Sequence, residues 1–265
     1  MPELPEVEAA RKLAEQQVQG RQVHSVHISK DPVVFDGVPP RAFANALRMR
    51  RVLAVRRKGK YLWMELDRRP WPLFHFGMTG SFHVYQKPAA RPQFWKMELV
   101  MDDGSRFAIR NVRRLGRIRL AKDPENQPPV STLGFDALNE KLPLAAFIHQ
   151  VQKRTCPIKS LLLNQAFAAG VGNWLADEIL YQARIDPHRR CNRLGTDDIR
   201  NLRTSLRRII CQAVAVDADA SRFPRTWLFH VRWGKDASAR TARGESIRFD
   251  QIAGRTTAWV PSRQR

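Results

Sequence analysis

The hydrophobic period of this 265-residue chain changes once, and that change constrains its fold more than any other feature. Through Ala121 the apolar residues come in short runs broken by Gly, Pro and Asp, the pattern of strands with a buried face. The runs are Gln22 to Ser29, Val52 to Arg57, Tyr61 to Leu66, Leu73 to Phe76, Ser81 to Tyr85, Met97 to Met101, Ser105 to Arg110 and Arg117 to Ala121. Strands at this spacing predict a β-sandwich or a flattened barrel. From Asp123 to Pro129 the chain turns polar and Pro-rich. Helical periodicity then takes over at Leu144 to Lys153, Pro157 to Leu163, Asn173 to Gln182 and Asp197 to Val216. A further helix precedes the strands, with Leu4, Val7, Ala14 and Val18 on one stripe and Gly20 placed to end it. The expected class is α+β: a sandwich domain with an N-terminal helix over 1-129, a helical domain over 130-222, and a C-terminal segment over 223-265.

Charge limits the partners. Lys and Arg number 46 against 25 Asp and Glu, a net +21 spread over most of the sequence. A polyanion is the natural partner, because neutralising phosphates supplies sequence-independent affinity. An anionic membrane is disfavoured: no apolar run is long enough to span a bilayer, no signal peptide is visible, and no sustained basic amphipathic helix has an aromatic face. The 43% hydrophobic content allows two modest cores and argues against dominant disorder. Cys156, Cys191 and Cys211 are too scattered for a disulfide framework, and none lies in a CxxC pair. A soluble intracellular protein with reduced cysteines is expected.

Several segments carry chemistry. The chain begins MPELPEVE, so removal of Met1 exposes Pro2 as a secondary amine. An α-amino group titrates at about 7.7 to 8.0, which makes it available as a nucleophile near neutral pH. Glu3 and Glu6 lie at i, i+3 spacing beside it, expected on one face at the positive end of the helix. Acidic residues and Pro also decorate ordinary helix starts. RRKGKYLW, Arg56 to Trp63, leads cations into a strand, which a protected edge strand would also do. HFGMTGS, His75 to Ser81, is a strand ending in a turn with an exposed His and an exposed Met, or a hairpin with a sulfur filling a gap. NVRRLGR, Asn111 to Arg117, joins two strands. In AAGVGNWLADEILYQARIDPHR, Ala168 to Arg189, two glycines are expected to deliver Asn173 to a helix N-cap, a start suited to phosphate and equally to routine capping.

Taken in order, these segments resemble the formamidopyrimidine-DNA glycosylase (Fpg/Nei) family over nearly the whole chain, most weakly from Ser221 to Ile247. The resemblance implies that Pro2 is a Schiff-base nucleophile, with Glu3 and Glu6 beside it and Lys60, with Lys58 as the lesser substitute, completing the catalytic set where the DNA backbone approaches. It implies that His75 and Asn173 contact phosphate, that Met78 enters the space left by the damaged nucleotide, that Arg113 meets the orphaned base, and that Leu115 is an apolar wedge. The family often has an aromatic at the Leu115 position, which changes the strength and base preference of that insertion. Lys159 and Leu161 to Asn164, with the helix after them, are similar to the family's helix, two-turn, helix element.

Most members end in a four-cysteine zinc finger, yet no cysteine follows Cys211, and Val260 stands where one is expected. IAGRTTAWVPSRQR, Ile252 to Arg265, therefore resembles a zincless β-hairpin finger of the plant type, with Arg255 on phosphate and no metal or cofactor. The implied protein is a monomeric base-excision-repair enzyme, DNA-associated, acting on duplex DNA with oxidised bases or abasic sites. The short stretch Ser221 to Trp227 is expected to reduce the lesion-capping loop, favouring formamidopyrimidines and further-oxidised guanine over 8-oxoguanine. A silent DNA-binding protein is the alternative. An RNA-binding protein lacks support, because no RNA-recognition aromatic motif or KH-type GxxG loop is present.

Overall fold

The short apolar runs of the first half resolve into two four-stranded antiparallel sheets. The structure, a computed structural model, describes every residue except Met1, Lys141 and Ala237. Two compact units divide it, one of Pro2 and Glu6–Thr132, the other of Glu3–Pro5 and Leu133–Arg265.

The first unit follows α1 (Leu4–Val18) with β1 (Val23–Ile28), α2 (Pro40–Leu47), β2 (Val52–Lys58), β3 (Tyr61–Leu66), β4 (Trp71–His75), β5 (Gly80–Tyr85), β6 (Trp95–Met101), β7 (Arg106–Asn111) and β8 (Arg117–Ala121). One sheet has the order β1-β6-β7-β5 and the other β2-β3-β4-β8. Their core joins Val7, Ala14 and Val18 of α1 to strand residues such as Leu62, Phe74, Phe82, Phe107 and Ile118. Phe82 takes Phe74 and Phe76 edge-on at centroid distances of 5.5 and 4.9 Å. The strands expected from sequence are all present, with ends moved by at most two residues. The sequence pattern did not indicate α2, because its only buried anchors are Phe43 and Leu47 after two prolines. Pro40 suits the first helical turn, where no N–H is needed.

The second unit contains β9 (Phe135–Asp136), α3 (Leu144–Gln152), α4 (Ile158–Leu163), β10 (Ala168–Ala169), α5 (Asn173–Ala183), α6 (Thr196–Ala215) and the hairpin β11 (Arg248–Ile252) and β12 (Arg255–Trp259). α5 is buried almost all round, as a central helix is, and its Trp174, Leu175, Ile179 and Leu180 pack with Ile158, Leu161, Leu206 and Ile210. The tail is tied down by Gln264, which accepts from the Val260 amide and donates to the Ile185 carbonyl. No helix among the described residues is long and apolar enough to cross a membrane.

α5 also buries Glu178, whose carboxylate accepts from the Phe229 amide and from Gln182. Burial, against those bonds, pushes its pKa from 4.5 to about 7. Below the unfolded value the group is protonated in both states and has no effect on stability. As pH rises toward 7 the unfolded chain releases the proton first, so stability falls, and the loss is complete above about 7. Glu178→Gln should therefore raise the thermal midpoint relative to wild type at pH 8 but not at pH 4.5. Calorimetry at both pH values checks this, and equal differences at the two would refute it.

Candidate functional site

The first unit gathers its site residues on turns. β2 and β3 pair Lys58 with Tyr61, leaving Gly59 and Lys60 as a two-residue turn, and Gly59 takes φ +56°. The turn is anchored from behind. Arg57, with no exposed side chain, pairs with Glu8 of α1 at 2.6 Å and donates to the Gly59 carbonyl at 3.1 Å. Lys60 is thus 9% exposed and held to the helix that begins beside Pro2. Pro2 and Glu6 are half-buried.

His75 lies across the β3–β4 register from Tyr61, their rings 4.8 Å apart. The expectation of an exposed imidazole is corrected: His75 is half-buried, because β4 lies between β3 and β8 and the ring packs against Tyr61. Burial first, then the charges of Lys60, Arg117 and Arg119, push its pKa down to about 4. The ring is therefore neutral at pH 7. Its Nδ1 accepts the Gly77 amide at 3.3 Å, which leaves the proton on Nε2 as a donor. Tyr61, Leu73, Phe74, His75, Arg117 and Arg119 line a notch of about 40 Å³, a basic recess suited to one anionic group.

Two turns meet near this recess. The β4–β5 turn carries Met78, 39% exposed, and the β7–β8 turn carries exposed Arg113 and Leu115, the latter at 44%. The Arg113 amide donates to the Thr79 hydroxyl at 3.2 Å, and the Asn111 side chain donates to the Phe76 carbonyl at 3.1 Å. Gly77 makes the approach possible: at φ +62°, a Cβ there would stand 2.4 Å from the Leu115 carbonyl. Met78, Arg113 and Leu115, called from separate motifs, are thereby brought together.

In the second unit the decisive group is Glu3. It precedes α1 rather than sharing a helical face with Glu6, and it belongs to the other unit from Glu6. Expecting both on one face overlooked that α1 begins at Leu4. Glu3 is 2% exposed and accepts the amides of Gly172, Trp174 and Leu175 at 2.9, 2.9 and 3.1 Å. The positive start of α5 is filled by an internal carboxylate, a charge that helix ends hold well. Leu4 continues the attachment through its amide to the Gly170 carbonyl at 3.0 Å.

Asn173 is the first residue of α5, and Gly172 holds the N-cap. The expected N-cap position is therefore corrected by one residue, because Gly172 carries the extended backbone. Asn173 donates one amide hydrogen to the Thr256 carbonyl at 2.9 Å. The same carbonyl accepts from Lys159 at 3.1 Å, and the Thr257 hydroxyl accepts from Lys159 at 2.8 Å. Lys159, fully buried, also pairs with Asp177 at 2.6 Å, and Asp177 pairs with Arg232 at 2.6 Å and accepts the Ala258 amide at 3.1 Å. Burial lowers the Lys159 pKa despite Asp177. This network fixes the turn of the β11–β12 hairpin, where Arg255 is exposed. Asn173, Glu3 and Arg255 are gathered within one unit.

Sequence reasoning missed Asp177, Arg232, Glu8 and Arg57. The only signal was at Asp177, a charged residue in the mostly apolar run Trp174 to Leu180; Glu8, Arg57 and Arg232 lie near other charged residues and carry none. The zinc site that the resemblance implies for most members does not fit this chain. No cysteine follows Cys211, and the hairpin turn is instead held by Lys159, Asn173 and Asp177.

Comparisons with known proteins agree with the fold. Residues 1–118 match the formamidopyrimidine-DNA glycosylase N-terminal domain, and residues 133–225 match the formamidopyrimidine-DNA glycosylase H2TH domain. A formamidopyrimidine-DNA glycosylase of Arabidopsis thaliana is 39% identical over 100% of this chain and 71% of its own length. One from Thermomicrobium roseum is 31% identical over 98% of each chain. The Lactococcus lactis enzyme, solved non-covalently bound to DNA containing an AP site, superposes with a TM-score of 0.88 at 25% identity, covering 99% of both chains. A point mutant of that enzyme, solved with DNA containing Fapy-dG, gives 0.87 at 26% identity over 100% of both.

The geometry at Gly172 is testable. A Cβ there would meet the Glu3 carboxyl carbon at 2.3 Å, so Gly172→Ala should expel the carboxylate from the helix start. The expected cost is about 1 to 3 kcal/mol, read as a lowered midpoint in urea unfolding, and an unchanged midpoint would contradict the contact.

Proposed function

The chain belongs to the formamidopyrimidine-DNA glycosylase family of bifunctional glycosylases and abasic-site lyases, and from that membership and the geometry of its two units we propose that it excises oxidised bases from duplex DNA through Pro2 and then cuts the abasic strand by β,δ-elimination. The observation that carries the reading is the burial of Glu3 on three amides of α5. That anchor fixes the residue covalently joined to the proposed nucleophile.

The steps follow from the groups present. With Met1 removed, the Pro2 amine attacks the anomeric carbon of the extruded nucleotide, the C–N bond to the base breaks, and the base leaves with a proton taken from solvent. The Glu3 carboxylate takes up, through water, the proton that the Pro2 nitrogen loses and delivers it to the sugar ring oxygen as the ring opens, with Glu6 as the second acid near the amine. The product is an iminium. Its positive nitrogen acidifies the neighbouring C–H, so loss of that proton expels the 3′ phosphate, and a second elimination expels the 5′ phosphate. Water then releases Pro2. The strand is left with a one-nucleotide gap.

The other residues bind and distort. Met78, Arg113 and Leu115 form one exposed cluster fit to fill the space that an extruded nucleotide leaves. Lys60 and the Nε2–H of neutral His75 serve the phosphates of the strand being cut. Asn173, through its second amide hydrogen, and Arg255 serve phosphates from the second unit. We read residues 223-265 as a zincless finger whose support is the Lys159, Asp177 and Arg232 network, and 1-129 and 130-222 as the catalytic and helix-two-turn-helix domains. The chain acts as a monomer on DNA inside the cell and requires no cofactor.

Borohydride trapping on a duplex with an abasic site, using protein with an untagged N-terminus, tests the chemistry. A cross-link mapped to Pro2 is expected. Binding without any cross-link would favour a silent lesion-binding protein, and a cross-link at a lysine would replace the nucleophile. For the lesion spectrum, single-turnover excision should be faster for formamidopyrimidines and further-oxidised guanine than for 8-oxoguanine. Fastest excision of 8-oxoguanine would overturn that preference.

A further inference from the structure

The exposed turn that carries Arg113 and Leu115 has a backbone that needs support. Arg114 at its centre takes φ +55°, a left-handed conformation costly for a residue with a side chain. The support comes from the segment between β1 and α2. Arg114 grips Asp31 through Nε at 3.0 Å and Nη2 at 3.0 Å, a forked pair that fixes direction as well as distance. Asp31 is itself immobilised: its side chain is 5% exposed, and it pairs with Lys96 at 2.8 Å and accepts the Val34 amide at 3.3 Å. Burial would raise its pKa, but Lys96 and Arg114 outweigh it and hold the group at about 2, charged throughout the useful pH range.

The same segment also pins the exit of the turn. β8 is an edge strand, paired only with β4. On its other side the Ile118 amide donates to the Val34 carbonyl at 2.8 Å, and Arg119 pairs with Asp36 at 2.7 Å. The centre of the turn and its exit are therefore both held to one six-residue stretch, Asp31 to Asp36.

We propose that Asp31 to Asp36 is the positioning element of the inserting turn, and that the Asp31 to Arg114 pair sets how strictly the enzyme discriminates the base opposite the lesion. The inference rests on the reading above, in which Arg113 meets the orphaned base and Leu115 wedges. A side chain that reads a base edge by hydrogen bonds loses selectivity when its backbone can shift, and a misplacement of about 1 Å costs on the order of a hundredfold in rate. Asp31 is a positioning residue because it acts only through Arg114.

Two variants test it. Asp31→Asn removes the charge but leaves buried Lys96 without its partner, which itself threatens the fold. Arg114→Lys keeps the cation, loses the fork and leaves the Asp31 to Lys96 pair intact. The assay is single-turnover excision of one formamidopyrimidine opposite each of the four bases, with thermal midpoints recorded alongside. Arg114→Lys should lower the rate opposite the favoured base by about tenfold or more and contract the spread among the four. Asp31→Asn, where folded, should do the same. An active wild type whose Arg114→Lys variant keeps the spread, even with all rates uniformly reduced, would show a merely structural pair and overturn the inference alone. A wild type that cuts none of the duplexes would overturn the glycosylase reading, and this inference with it.

Discussion

Three backbone amides at the start of α5 converge on the carboxylate of Glu3, and the order of the second unit's site follows from that contact. Hydrogen bonds to a charged group contribute about 1.5 to 3 kcal/mol each, and the helix dipole adds to them. Few surface interactions reach such strength, and this one is spent on the third residue of the chain. Its consequence is positional: Glu3, the residue covalently joined to Pro2, is held at the start of α5. Gly172 must be glycine there because the carboxylate fills the space of its Cβ.

A second set of buried charges governs the C-terminal hairpin. Lys159, Asp177 and Arg232 are almost wholly out of water. Buried ion pairs rarely stabilise more than well-packed apolar residues of the same volume, since desolvation offsets their attraction. Their value here is directional: Lys159 and Asp177 reach the Thr256 carbonyl, the Thr257 hydroxyl and the Ala258 amide, three successive residues beside Arg255. A metal would hold such a turn by its ligands. Here hydrogen bonds from the helices set the same strand.

The first unit relies on a different device, close approach between turns. Gly77 against Leu115 and Arg113 on Thr79 join two β-turns into one exposed cluster, while Glu8 and Arg57 hold the Gly59 to Lys60 turn. Turns are the most adaptable parts of a sandwich. Each one that carries a site residue here has a fixed partner behind it.

The sequence by itself determined the element types, because burial of one strand face or one helix stripe writes a period into the chain. It also supplied the chemistry available: a terminal Pro2, acidic neighbours, clustered cations and a hairpin without cysteines. The matches of its motifs named the residues that the structure then gathered, Met78 with Arg113 and Leu115, and Glu3 with Asn173 and Arg255. It did not reveal α2, whose two buried residues are too few to mark a period, nor that Glu3 caps α5 from 169 residues away in sequence. Nor did it place Asn173 after the cap or show His75 half-buried and neutral. Those properties depend on which distant groups share a space, on desolvation and on charges brought within a few ångströms. Local pattern carries no information about either, so only the tertiary structure decided them.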